Sequence, residues 1–219
     1  MKKTFFDRFL SFLLVLLVIA VLSGIGYLVY KYYEKYKINS NADEFLDNEF
    51  EQYMGDNEPE EYDEQGAIEE QENQNGPRGI DTDALTYKDY KVEGKIELPT
   101  VNLRYPVLEQ MTDINELEVS IAIQYGAGLN KVGNTVLIGH NYRSGLFFGS
   151  NKNLQIGDSI YITDVATKNR VEYRIYNKYT TEEADTSYFS RNTNGKREVS
   201  LVTCQSNNKY RLVILAREV

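Results

Sequence analysis

Two stretches near the C-terminus, EVSLVTC (198–204) and YRLVILAR (210–217), decide the fold of this chain. Each is a short run of β-branched and aliphatic residues. Between them lie Gln205-Ser206-Asn207-Asn208-Lys209, which include a Ser-Asn-Asn turn signal. That pattern predicts a β-hairpin. The same reading, carried upstream, predicts strands at KVEGKIEL (91–98), VNLRYPVL (101–108), NTVLIG (134–139), DSIYIT (158–163) and RVEYRIYNK (170–178). Turns are expected at Gly157-Asp158, Lys168-Asn169 and Asn194-Gly195. One helix is expected over about 112–124, with Thr112 as its cap and Ile114, Leu117 and Ile121 at i, i+3 and i+7. Seven or more short strands with one or two helices between 80 and 219 predict a mainly β domain, a closed barrel or a sandwich. No internal repeat is visible.

Upstream of this domain the composition changes twice. Residues 9–30 carry no charge, and a helix of that length is roughly 33 Å long, enough to cross a hydrocarbon core of about 30 Å. A cleaved signal peptide is the rival reading. Its apolar core is shorter, whereas here the run continues past Ser23-Gly24-Ile25-Gly26 to Tyr30. Tyr27, Tyr30, Tyr32 and Tyr33 would form an aromatic belt at the far interface. The flanking Lys and Arg nearly tie, so the expected orientation, N-terminus cytoplasmic and bulk outside, follows from the long polar remainder of the chain. Residues 31–79 hold 4 basic and 15 acidic side chains, a net −11, while 80–219 hold 17 of each. The expected organisation is therefore a tail and transmembrane anchor (1–30), an acidic stalk (31–79) and a folded domain (80–219). Glu58-Pro59-Glu60-Glu61 and Asn75-Gly76-Pro77 interrupt any long element in the stalk. Phe45, Leu46, Phe50 and Tyr53 fall on one helical face, which reads as a short helix that continues the anchor or docks on the domain.

The 219 residues contain one Cys and one His, which excludes an internal disulfide and a Cys/His zinc cage. A net charge of −9 argues against a nucleic-acid partner. No metal or cofactor is expected. The carboxylates of 109–118 and 182–185 read as surface charge. The lone residues have a different pattern. Cys204 ends one strand candidate, His140 follows another, and Arg211 opens the last. If the terminal hairpin forms, Cys204 and Arg211 face each other near its turn. A thiol attacks as thiolate, a neighbouring cation favours that form, and an imidazole can exchange protons with it and with a leaving group. A guanidinium can hold a developing oxyanion. Cys204, His140 and Arg211 therefore suffice for acyl transfer through a thioester. Taken singly, each also has an ordinary reading: a small buried hydrophobe, a satisfied polar residue and a solvated charge.

Ser200-Leu201-Val202-Thr203-Cys204 resembles the TLxTC motif of sortases, the cysteine transpeptidases of Gram-positive surfaces. Ile138-Gly139-His140-Asn141 is similar to the family's Gly-His strand end, and Tyr210-Arg211-Leu212-Val213-Ile214 to its Arg-bearing last strand. The order His, Cys, Arg and the layout of anchor, spacer and C-terminal domain match. The likeness spans roughly 85–219, with Ser200 standing where the motif has Thr.

The resemblance implies an eight-stranded sortase-type β-barrel. It implies that Cys204 attacks the Thr–Gly carbonyl of an LPxTG-like sorting signal, that His140 protonates the leaving amine and that Arg211 stabilises the oxyanion or positions the substrate. An amine of the cell wall or of another protein would resolve the thioester, and Thr203 would help line the substrate site. Lipid would be met through residues 9–30. Residues 80–90 lack the Asp-Pro-aromatic lid of pilin-polymerising members, the chain closes at Val219 just after the last strand candidate, and 178–198 is too short for a long inserted helix. The implied subclass is class D-like or housekeeping. A cell-envelope cysteine hydrolase and a non-catalytic membrane-tethered β-domain for adhesion or sensing remain as alternatives.

Overall fold

A computed structural model describes residues 5–56, 84–205 and 208–219. The predicted breaks at 58–61 and 75–77, and the Ser206-Asn207 part of the last turn, lie outside the described residues. The chain forms two compact units, Met1–Ser40 and Asn41–Val219.

The first unit is helical. Helix α1 runs Phe5–Phe45, and its last residues belong to the second unit. Its apolar side chains between Phe9 and Tyr30 are exposed all round, Leu17 at 61% and Leu28 at 68%. A helix whose described side chains are apolar and exposed on every face suits a lipid surrounding. It is compatible with a single-pass membrane anchor.

The second unit is a closed β-barrel. Its strands are β1 (Thr86–Tyr87), β2 (Tyr90–Leu98), β3 (Leu103–Gln110), β4 (Ile121–Tyr125), β5 (Gly133–Ile138), β6 (Ser159–Asp164), β7 (Arg170–Glu182), β8 (Arg197–Gln205) and β9 (Tyr210–Glu218). The sheet order is β1-β2-β3-β4-β5-β8-β9-β7-β6, and β6 pairs back onto β2, so β2 to β9 close an eight-stranded ring with β1 as a short appendage. Closure leaves no free edge among those eight strands. Alternating residues fill the interior: Ile96, Val107, Ile121, Leu137, Leu201 and Ile214 are all at most 1% exposed. Two contacts, β3–β4 and β5–β8, are parallel. The second of these sets the geometry of the candidate site.

The helix expected over 112–124 is not formed. A five-residue 3-10 turn, Ile114–Glu118, is followed at once by β4. Ile114 is 63% exposed while Leu117 and Ile121 are buried, so the three do not share a face. The Ile-Ala-Ile run at 121–123 is drawn into register with β3, Val107 opposite Ile121, and this pairing outweighs the weak helical stripe. The cap is Asp113, not Thr112: its side chain accepts from the Asn115 amide, and Glu116 closes a capping box.

Residues 41–56, whose acidic composition reads as spacer, pack within the second unit. After α1 come a π-helical turn, Leu46–Phe50, and helix α2, Glu51–Asp56. Phe45, Leu46 and Phe50 are at most 3% exposed and join Leu85, Tyr87, Val92, Leu108, Leu117 and Ala122 in one cluster. The Phe45 and Tyr87 rings are 4.8 Å apart. Each large apolar group buried there stabilises the unit by roughly 1.5–3 kcal/mol. Polar ties flank the cluster. Arg104 donates both Nη atoms to Asp47 at 2.7 Å and Nε to Asp43 at 2.6 Å, and Lys95 pairs with Glu51. Part of the local acidity therefore serves docking.

Candidate active site

Strand β8 lies between β5 and β9, and the two registers bring the three singled-out residues to one level. In the parallel β5–β8 ladder Ile138 pairs with Val202, and the Gly139 amide donates to the Val202 carbonyl at 3.2 Å. Two residues further on along each strand come His140 and Cys204. In the antiparallel β8–β9 ladder Cys204 is paired with Arg211. The structure thus places Cys204 in the middle, with His140 on the flanking strand end on one side and Arg211 on the other.

Local chemistry makes this arrangement tight. Gly139 leaves room for Phe148 and Ile121, whose side-chain atoms would lie 3.1 and 3.2 Å from any added Cβ. Past it the backbone turns away: the His140 carbonyl accepts from the Phe148 amide, and Asn141 bridges Phe147, a buried residue in left-handed conformation (φ 50°). Thr203 is 1% exposed and its hydroxyl donates to the Gly139 carbonyl at 2.7 Å. It meets the site through the backbone that it ties, not as an exposed wall.

The His140 side chain is 27% exposed, and its Nε2 lies 3.1 Å from a Glu118 carboxylate oxygen. Among the described residues Nε2 has no aligned hydrogen-bond partner and is shielded from solvent, so proximity here is not a formed bond. Tyr142 donates to the other Glu118 oxygen at 2.5 Å, and its ring centre is 5.2 Å from that of His140. Glu118, at the end of the 3-10 turn, was not singled out from the sequence.

Arg211 is held at three points. Its Nη1 donates to the Asn208 and Tyr210 carbonyls at 2.9 and 3.2 Å, and Nη2 pairs with Glu183. Its side chain is 14% exposed, whereas Glu183 is 61% exposed. A guanidinium carries five donors, so these contacts leave it capacity for a further acceptor.

The segment 183–196, between β7 and β8, covers the face of β8 that carries Cys204. Tyr188 packs there on Val136, Val202 and Val213. Val202 and Cys204, two apart on one strand, share that face. Burial raises the Tyr188 phenol above its ordinary value. Arg211 acts against this, and Asp185, Tyr179 and Cys204 add smaller upward pushes, as expected of a ring beside the Cys204–Arg211 pair. The segment is anchored by Arg191, which pairs with the fully buried Glu198 carboxylate and donates to Asn134 at 2.8 Å and Ser200 at 3.2 Å. Ser200 also donates to Asn134 at 2.9 Å, a bond through the hydroxyl that Ser shares with the Thr of the resembled motif. An open cleft of about 420 Å³, lined by Tyr125, Val132, Phe189 and Arg191 among others, lies at the start of β5, the end away from His140.

The arrangement of thiol, imidazole and tethered guanidinium suits nucleophilic acyl transfer. A family model described as Sortase domain matches residues 96–219. The chain is 32% identical over 127 residues to Sortase A of Bacillus anthracis, a match covering 57% of this chain and 58% of that protein. It therefore spans less than two thirds of this relative. Among solved structures, Sortase A from Corynebacterium diphtheriae shares 25% identity with a TM-score of 0.53, covering 60% of this chain and 62% of that one. Sortase A of Listeria monocytogenes shares 25% identity with a TM-score of 0.52, covering 58% and 87%. A Clostridium perfringens Sortase D5 transpeptidase shares the fold at 23% identity and a TM-score of 0.53, covering 59% and 79%.

Proposed function

This chain belongs to the sortase family, whose members are cysteine transpeptidases, and from that premise we propose that it cleaves an LPxTG-like sorting signal and transfers the acyl part to an amine. The Cys204 thiolate attacks the carbonyl carbon of the Thr–Gly bond. Arg211 donates hydrogen bonds to the oxyanion so formed. The C–N bond then breaks, His140 gives its proton to the departing glycyl amine, and a thioester to Cys204 remains. An acceptor amine attacks that thioester and loses a proton to His140, the C–S bond breaks, and Cys204 leaves as the thiolate that began the cycle. The acceptor is an amine of the cell wall or of another protein.

The single observation that supports this reading is that Cys204 pairs with Arg211 across β8 and β9, while His140 follows two residues past the last β5–β8 pair, Ile138 with Val202. Thr203 contributes by tying β8 to the His140 strand end. The helix of residues 9–30 would hold the enzyme in the cell membrane with its N-terminus cytoplasmic and its barrel on the cell-wall side. The subclass we infer is class D-like or housekeeping.

Product analysis tests transfer against hydrolysis. With an LPxTG-type peptide alone, slow release of the free acid is expected; with an added amine, an acyl–amine conjugate should dominate. A free acid as the sole product at saturating amine would replace the transpeptidase by a hydrolase.

A further inference from the structure

The β5–β8 ladder stops one rung short of the nucleophile, and a side chain supplies that rung. In a parallel ladder the amides of alternate residues on one strand donate to carbonyls two apart on the next. The Gly139 amide donates to the Val202 carbonyl, so the next donor in sequence would be the Asn141 amide, and its acceptor the Cys204 carbonyl. The backbone of 140–141 is instead committed to the following turn, through His140 to Phe148 and the bridge from Asn141 to Phe147. The side-chain Nδ2 of Asn141 takes the vacant place and donates to the Cys204 carbonyl at 2.6 Å.

We propose that Asn141 is a positioning residue that locks the His140 turn to the backbone of Cys204 and so fixes the imidazole beside the thiol. The proposal rests on reading Cys204 and His140 as a working pair. Asn141 touches no reacting atom in this scheme; it acts through the peptide plane of the nucleophile and through the residue that precedes it. The neighbouring ties do not replace it. Thr203 holds Gly139, one residue before His140, and Phe148 holds the His140 carbonyl from the far side of the turn. Among the described residues, only the Asn141 amide joins the segment after His140 directly to Cys204. A side-chain amide suits this place because it spans the gap that opens once the backbone diverges. Asn141 is exposed, so its replacement voids no part of the core.

Cys204 is the chain's sole cysteine, so a thiol reagent reports on it alone and needs no peptide substrate. The test is the second-order rate of iodoacetamide alkylation at neutral pH, measured on the full chain in detergent with and without His140→Ala in each background. In the parent chain His140→Ala should change the rate. In N141L, which keeps the shape but not the donor, and in N141S, which cannot reach, the rate should fall by about tenfold. Adding His140→Ala to either should then change little, while N141Q, which keeps the amide, should recover part of the rate and of the His140 dependence. N141S decides the matter alone if N141L does not fold. A parent-like rate with full His140 dependence in the Leu or Ser variant overturns the proposal. If His140→Ala leaves the parent rate unchanged, there is no pair to position, and the catalytic reading falls together with this one.

Discussion

Cys204 and Arg211 are directly opposed in the β8–β9 ladder, whose antiparallel register runs without a shift from Glu198 opposite Arg217 to Gln205 opposite Tyr210. The same register holds Val202 against Val213 two residues deeper, and Tyr188 packs over both. The pair therefore stands on a packed apolar floor, and Arg211 is pinned by two carbonyls and by Glu183.

That pinning makes Arg211→Lys a non-conservative change. A lysine keeps the charge but loses the planar fork that serves the carbonyls, Glu183 and an oxyanion together. Transfer should fall by roughly ten- to a hundredfold in kcat/KM, and Arg211→Ala should lose more. The thermal midpoints of both variants should stay near the parent's.

His140→Ala should lower peptide turnover by about 10²–10⁴, the range expected for loss of a positioned proton-transfer group. Its fold signature, read by circular dichroism, should be unchanged, because the turn around it is held by Phe148 and Asn141.

Phe50→Ala should destabilise the second unit by about 3 kcal/mol, since it empties a site that is 1% exposed between barrel and helical segment. Hydrogen exchange should show residues 45–56 losing protection before the barrel strands do.

The tie between Arg104 and Asp47 gives this docking a pH dependence of known sign. Hydrogen bonding from Arg104 holds the Asp47 carboxyl below its ordinary value, so its stabilising contribution is present above about pH 4 and is lost as the pH falls through the lower folded value. The thermal midpoints of the parent and Arg104→Met should differ at neutral pH and converge as the pH falls through the lowered folded value. A difference that persists unchanged in acid would mean that the carboxylate tie is not its source.

Much of this structure is legible in the residues themselves. The terminal hairpin is legible in 198–217 as two apolar runs around a polar turn, and the register that puts Arg211 opposite Cys204 comes from the β8–β9 pairing. The place of His140 is legible only as a strand end, since a parallel partner cannot be read from local pattern. The same limit hid β4: Ile114, Leu117 and Ile121 mimic a helical stripe, and only the pairing with β3 turns the stretch into a strand. Glu118 was missed with it, because its approach to His140 depends on how short the turn before β4 is. Asn141 stood in view beside His140, but a side chain completing a ladder is a consequence of register and not of sequence spacing. The face made by Phe45, Leu46 and Phe50 was visible as a stripe; its partners, Tyr87, Val92 and Leu117, come from three separate segments and could not be named in advance.

The central claim, that Cys204 carries the acyl group, is tested most directly by intact-protein mass spectrometry after incubation with a panel of LPxTG-like peptides. The prediction is an adduct of the acyl fragment's mass, mapped to Cys204, released by hydroxylamine and absent in Cys204→Ala. Peptide turnover undiminished in Cys204→Ala, or an acyl adduct on any other residue, would contradict it.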